Sequence, residues 1–363
     1  MDSAIYNNKE FADALISKIH RLSKIVKKQV NLMEVCGTHT MVIARNGLRK
    51  LLPENINLIS GPGCPVCVTS NSYLDRAIAL SNLPKTRIFT FGDMFRVPSS
   101  VSSLEKQRGL GASVDIVYSP LDAFEFAKAH PDETVIFLGV GFETTAPLVA
   151  TVIKYAEMEN VKNFLVLSGH KLIPPAMEAL VSDSQHFIDG FICPGHVSVI
   201  IGAEPYRIFP EKYGIPCVIT GFEVCDILEA IAYLLEMISG RKRKSVFIQY
   251  ARCVKKNGNP IAQKTIYDVF DIIDSQWRGL GMLASSGLGI RDKYSDFDAG
   301  NISVNLIASR EKRGCLCGKV LQGRALPFHC RFFGNRCNPE HPLGPCMVSS
   351  EGVCAAYYAY ERR

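Results

Sequence analysis

Apolar and polar positions along this chain follow two periods that alternate in order. Residues 9–28 carry Phe11, Leu15, Ile19, Leu22 and Val26 at three- and four-residue spacing, and Ile25 widens the stripe. That pattern predicts an amphipathic helix with one buried face. Short apolar runs follow, each ending in a loop that contains glycine. Residues 32–35 end at Cys36-Gly37, 56–59 at Gly61-Pro62-Gly63-Cys64, 88–91 at Gly92-Asp93, and 135–138 at Gly139-Val140-Gly141-Phe142-Glu143. Between them, 73–80 and 121–129 read as helices. Strands alternating with helices predict an α/β fold with parallel sheets wrapped by helices.

The second third of the chain repeats the plan. Residues 164–167 end at Ser168-Gly169-His170, 187–192 at Cys193-Pro194-Gly195-His196, and 218–220 at Gly221-Phe222-Glu223. Cys36-Gly37 aligns with Ser168-Gly169 at an offset of 132, Pro62-Gly63 with Pro194-Gly195 at the same offset, and Gly92 with Gly221 at 129. These matches predict an internal duplication of one α/β unit. The units expected are 31–146 and 147–239, the second closed by a helix over 226–239. Beyond residue 240 few clear strands are expected, only a glycine-rich stretch at 279–289 and then dense cysteine. A third, loop-rich domain is expected over 240–363, with the N-terminal segment 1–30 packed on it or on the first unit.

Composition narrows the chemistry. The chain has 363 residues, enough for two or three compact domains, and a mildly basic net charge of +6. The one basic run, Arg241-Lys242-Arg243-Lys244, has no interleaved aromatics and reads as a solvated loop rather than a nucleic-acid site. No apolar stretch approaches the ~18–20 residues of a membrane span, and the N-terminus has no signal-peptide pattern, so a cytoplasmic protein is expected. Thirteen cysteines in such a chain point to metal ligation or redox work rather than structural disulfides.

Six of them, Cys315, Cys317, Cys330, Cys337, Cys346 and Cys354, fall within 40 residues among glycine, proline and aromatics. So little regular apolar patterning calls for another source of stability, which a bound metal supplies. The region has no CxxC pair of the kind structural zinc sites use. Cys315, Cys330, Cys337 and Cys354 give C-x14-C-x6-C-x16-C, a spacing suited to an iron–sulfur cluster, with zinc the alternative. Cys317 and Cys346 are left over, either a redox pair beside the cluster or small buried residues.

Cys36, Cys64 and Cys67 sit at strand ends, where open α/β sheets bind ligands. Glu143, His170 and His196 do too. Cys64 and Cys67 form a CxxC on a strand-to-helix loop, the pattern of a redox or metal-binding pair. A cysteine at a helix N-terminus is expected to have a lowered pKa. The bland readings stand beside these. Cys36 alone is a small buried residue, the lone histidines are hydrogen-bonded loop residues, and Glu143 supports a helix N-terminus. Cys193, Cys217, Cys225 and Cys253 have no spacing that lifts them above ordinary buried residues.

The motifs Glu34–Thr40 (EVCGTHT), Gly61–Cys67 (GPGCPVC), Gly141–Thr145 (GFETT), Ser168–Pro175 (SGHKLIPP) and Pro194–Ser198 (PGHVS), in this order, resemble the HypD family of [NiFe]-hydrogenase maturation factors. The C-terminal cysteine spacing is similar to that family's cluster motif. The resemblance runs from about residue 31 to the C-terminus. It implies two similar α/β units and a [4Fe-4S] domain. It implies a scaffold that works with the chaperone HypC to assemble the Fe(CN)2CO group, with cyanide delivered by HypE and HypF. It carries over Cys36, Cys64 and Cys67 as residues of iron binding and thiol redox chemistry, and Cys315, Cys330, Cys337 and Cys354 as cluster ligands. Cys36 is the expected principal iron thiolate. His39 and Glu143 are expected to orient ligands or handle protons beside it. The competing reading is an enzyme, an iron–sulfur-dependent thiol–disulfide oxidoreductase using Cys64 and Cys67.

Overall fold

The computed structural model describes residues 8–182, 186–306, 309 and 311–361. Residues 1–7 of the expected N-terminal segment, and 362–363 of the expected C-terminal domain, lie outside the described residues. The chain is α/β, and its strands form two parallel sheets and a hairpin. The first sheet has the order β2-β1-β7-β8-β9, from Val30–Glu34 (β1), Ile56–Ser60 (β2), Gly190–Pro194 (β7), Cys217–Thr220 (β8) and Val246–Ile248 (β9). The second has the order β4-β3-β5-β6, from Thr86–Thr90 (β3), Ser113–Ile116 (β4), Thr134–Gly139 (β5) and Phe164–Ser168 (β6). Phe270–Trp277 (β10) and Gly281–Ile290 (β11) pair antiparallel.

The strands therefore do not pair as the contiguous units 31–146 and 147–239. The chain begins the first sheet, builds all of the second, and returns to finish the first. Nor does the offset of 132 carry one sheet onto the other: the strand before Cys36 and the strand before Ser168 lie in different sheets, whereas those before Pro62 and Pro194 share one. Glycine recurs after strands because these loops run close to other backbone, whichever sheet they leave. What the sheets share is strand order. In each, the first strand formed has its successor on one side and a later strand on the other, which places a topological switch point between β1 and β7 and another between β3 and β5.

The region after 240 also differs from expectation. Its first strand, β9, completes the first sheet, and the glycine-rich stretch is the turn and second strand of the hairpin. The hairpin bridges to the second sheet's loops at Lys171 and to the CxxC segment at Thr69.

The N-terminal helix, Lys9–Val26, is capped by Asn8, whose side chain accepts the Glu10 and Phe11 N–H groups. Its Leu15, Ile19 and Leu22 are buried against Leu228, Ile231 and Leu235 of the helix Val224–Ile238, behind the first sheet. A separate core gathers Val35, Cys64, Cys67, Phe142, Trp277, Cys317 and Cys346. It joins strand-end loops of both sheets to the C-terminal cysteine segment.

Candidate functional site

Cys36 leaves β1 in an extended conformation and stands at the N-cap of the helix Gly37–Arg45. The β1 and β2 loops meet here backbone to backbone. Gly37 N–H donates to the Gly63 carbonyl at 3.0 Å, and Gly61 N–H to that of Glu34 at 2.7 Å. A Cβ on Gly63 would lie 2.2 Å from the Cys36 nitrogen, so only glycine allows the approach. Beneath the loop, Glu34 is fully buried. Its carboxyl accepts the Cys36 N–H at 3.1 Å and the Thr40 hydroxyl. Burial pushes that carboxyl up to about 7.

Above the loop lies Glu351, between the helices Pro345–Val348 and Val353–Tyr360. It accepts the Thr38 hydroxyl at 2.7 Å, and a Cβ on Gly37 would collide with its side chain. The Cys36 thiol is pushed up to about 12, first by burial and then by the Glu351 carboxylate. The helix N-terminus does not lower it as expected. The Thr38 and His39 amides act in that direction, and burial outweighs them.

His39 is buried and held down at about 4 by desolvation, so it is neutral. Its Nε2–H donates to the Gly221 carbonyl at 2.9 Å, which leaves the Nδ1 lone pair as a buried acceptor with no partner among the described residues. The ring stacks on Phe222 at 5.0 Å between centroids, and Phe222 stacks in turn on the exposed His196 at 3.9 Å. Cys36 follows β1 and His196 follows β7. The two loops thus straddle the first sheet's switch point.

Cys64 caps the short helix Pro65–Val68, and the Cys67 N–H donates to its sulfur at 3.2 Å. From this pair a row of thiols runs into the C-terminal segment. The Cys67 thiol is packed in one buried core with those of Cys64 and Cys346, and both act on it. Cys346 acts in turn on Cys317 and lies by Cys354, and Cys317 lies by Cys315, all in or packed against that same core. Cys317 and Cys346, unassigned from spacing, are the links. Burial pushes Cys67 well above an ordinary thiol. All thirteen cysteines are free.

Cys315, Cys330, Cys337 and Cys354 line one cavity walled by Val320, Phe332, Phe333, Leu343 and Met347. Four thiols in an apolar setting form a donor set suited to a soft metal centre. Among the described residues, no three His, Cys, Asp or Glu side chains converge to hold a single ion. A cluster does not require such convergence, because each of its irons takes its own thiolate. The side chains that act most on the Cys36 thiol are the Glu351 and Glu34 carboxylates.

Glu143 follows β5, at the second sheet's switch point. It accepts the Ile173 N–H at 3.0 Å at the start of the helix Ile173–Val181, and its other oxygen is buried without a partner among the described residues. Burial raises it to about 7. Glu34, Phe222 and Glu351 went unseen as site residues. Glu34 reads as the polar end of an apolar strand, and Glu351 as one more loop residue between Cys346 and Cys354.

The family model described as the hydrogenase formation hypA family matches residues 10–361. The HypD hydrogenase maturation factor of Rhodobacter capsulatus is 43% identical over 365 residues, which cover 98% of this chain and 97% of that one. A putative hydrogenase expression/formation protein of Methanocaldococcus jannaschii is 42% identical, covering 98% and 99%. HypD of Escherichia coli is 39% identical, covering 98% and 95%. The chain belongs to the HypD family of hydrogenase maturation factors.

Proposed function

We propose that this chain is the scaffold on which, together with HypC, the Fe(CN)2CO group of [NiFe]-hydrogenase is assembled, and that Cys36 is its iron-binding thiolate. The observation that carries the reading is the thiol row from the four-cysteine cavity through Cys317 and Cys346 to Cys67 and Cys64, whose loop touches the Cys36 backbone. Cys315, Cys330, Cys337 and Cys354 would hold a [4Fe-4S] cluster, which supplies electrons when bound. The row gives those electrons a path to the CxxC. Closing Cys64 and Cys67 to a disulfide releases two electrons and two protons; reopening it takes them up.

At Cys36 the thiol must lose its proton to bind iron, and the iron's own charge offsets the burial that now raises its pKa. The neutral His39 Nδ1 is the acceptor that can hold a proton or a ligand beside it. Glu143, whose carboxyl accepts the Ile173 N–H, is assigned to holding the 173–181 helix rather than to iron. HypE, as cyanide donor, would meet the open side of the switch point, where His196 is exposed.

Purified with HypC from cells making the cofactor, the protein should show infrared bands of bound cyanide and carbonyl. Cys36→Ala should lose them while keeping its iron–sulfur absorption. Unchanged bands in that variant would sink the assignment. Cys330→Ala should lose acid-labile sulfide, and a preparation binding only zinc would overturn the cluster. The oxidoreductase reading draws on the same thiol row, and it fails if reducing the cluster never opens a Cys64–Cys67 disulfide.

A further inference from the structure

The first sheet ends at β9, and the far side of β9 is open. Ser245 O accepts from Cys217 N–H, and Gln249 N–H donates to Ile219 O. With Cys217 opposite Val246 and Ile219 opposite Ile248 in a parallel ladder, residues 245, 247 and 249 hydrogen-bond to β8. The N–H and C=O groups of Val246 and Ile248 therefore point away from the sheet, and none takes a partner among the described residues. An unpaired edge of this kind is a template for another strand.

A cleft of about 770 Å³ runs along that edge, lined by Ser245, Val246 and Ile248 on one side and by Ala203, Arg207 and Pro210 on the other. Val246 and Ile248 are half-buried and offer apolar contact between the open backbone groups. The cleft's charge is unbalanced. It holds four cations, Arg207, Arg243, Lys244 and Lys256, against two carboxylates, Glu204 and Glu211. The carboxylates are taken up by Arg207 and Lys256. Arg243 and Lys244 have no carboxylate partner among the described residues. The basic run read from sequence as a solvated loop thus stands at the mouth of a strand-sized cleft.

We propose that the β9 edge docks an extended, acidic segment of a partner protein, which adds to the first sheet as a sixth strand. About five residues at ~3.3 Å each would span the edge from 245 to 249. Charge selects the occupant. A second copy of this chain would add the same excess of cations along the edge, whereas acidic side chains on a strand answer Arg243 and Lys244. Position supports the same choice. β9 leads into Gln249 and Tyr250, and the Tyr250 ring packs edge-on against Phe222 at 5.8 Å. A partner anchored here lies beside the Phe222 loop of the site. The proposal holds whatever metal Cys36 carries.

The test uses the full chain and a fluorescein-labelled octapeptide alternating valine and glutamate, followed by anisotropy. The acidic peptide should bind. A lysine-for-glutamate peptide, and an acidic peptide N-methylated at alternate residues, should each bind at least about tenfold more weakly. Arg243→Glu with Lys244→Glu should weaken the acidic peptide by a similar factor. Val246→Pro should do the same without moving the thermal midpoint, because the N–H it removes faces outward and not toward β8. Hydrogen exchange at the Val246 and Ile248 amides should slow when peptide is added. The proposal is overturned if the acidic peptide does not bind, if N-methylation or Val246→Pro leaves its affinity intact, or if sedimentation shows two copies joined along this edge. Infrared bands at Cys36 are read separately, so the iron assignment and the docking edge can fail independently.

Discussion

Removing one negative charge beside Cys36 should make its thiol more reactive, by an amount that can be worked out. Glu351 accepts the Thr38 hydroxyl and crowds Gly37, and it is the largest contribution after burial to a thiol pushed up to about 12. Unit charges ~6 Å apart in an effective dielectric of ~20 interact by about 3 kcal/mol, equivalent to about two pK units. Partial screening brings the expected drop in Glu351→Gln to between about one and two units. The glutamine carbonyl still accepts from Thr38, so the loop keeps its geometry. At pH 8.5, far below the pKa, thiolate rises by about 10- to 100-fold. A less basic thiolate is also a poorer nucleophile, with a Brønsted slope of about 0.5, and the net gain in alkylation rate is about 3- to 10-fold. Iodoacetamide labelling read by peptide mass spectrometry separates Cys36 from the other cysteines. An unchanged or slower rate at Cys36 would refute the electrostatic account of this loop.

Three further tests address other parts of the structure. Glu143 is raised from 4.5 to about 7, so the folded chain holds a proton that the unfolded chain has lost; stability from this group is full below about 4.5 and falls as pH rises toward 7. Glu143→Gln keeps an acceptor for Ile173 and should gain up to about 3 kcal/mol over the parent at pH 8 but almost nothing at pH 4, by denaturant unfolding; equal gains at both would refute it. Gly63→Ala puts a Cβ 2.2 Å from the Cys36 nitrogen and should cost about 1–3 kcal/mol, seen as a lower thermal midpoint; an unchanged midpoint would show that the two loops separate freely. Cys346→Ser cuts the thiol row at its branch, so reduction of a Cys64–Cys67 disulfide by dithionite-reduced protein should slow while iron content holds; parental rates would remove Cys346 from the path.

Periodicity disclosed what is local. The stripe from Phe11 to Val26 is a helix that buries Leu15, Ile19 and Leu22, and the apolar runs before Cys36, Gly61, Gly92, Gly139, Gly169, Gly195 and Gly221 are strands. It could not disclose partners. An apolar run announces a strand buried on both faces but carries no label for its neighbours, so β1 and β2 are grouped from sequence with β3–β5, whereas they share a sheet with β7–β9. The same limit hid the site's far side. Thr38 and Glu351 meet across 313 residues, and Gly221 caps His39 across 182. The glycines at 279–289 read as loop because spacing does not distinguish a turn from the strand that follows it. The Cys36 pKa went the other way because local geometry favours thiolate while burial, a tertiary fact, disfavours it more.

The interleaved sheets set a timetable for synthesis. β1 pairs with β2 on one side and β7 on the other, and the second sheet is encoded between Ser60 and Gly190, 190 − 60 = 130 residues later. At 5–20 residues per second, the ribosome takes roughly 7 to 26 s to supply β7 after β2 has emerged. Through that interval β1 has an open edge and Val30 and Leu32, fully buried in the finished protein, have nothing from β7 or β8 to cover them. A nascent chain stalled near residue 146 would carry two of the first sheet's five strands and three of the second sheet's four. The window in which this protein most needs a chaperone is thus written into its strand order.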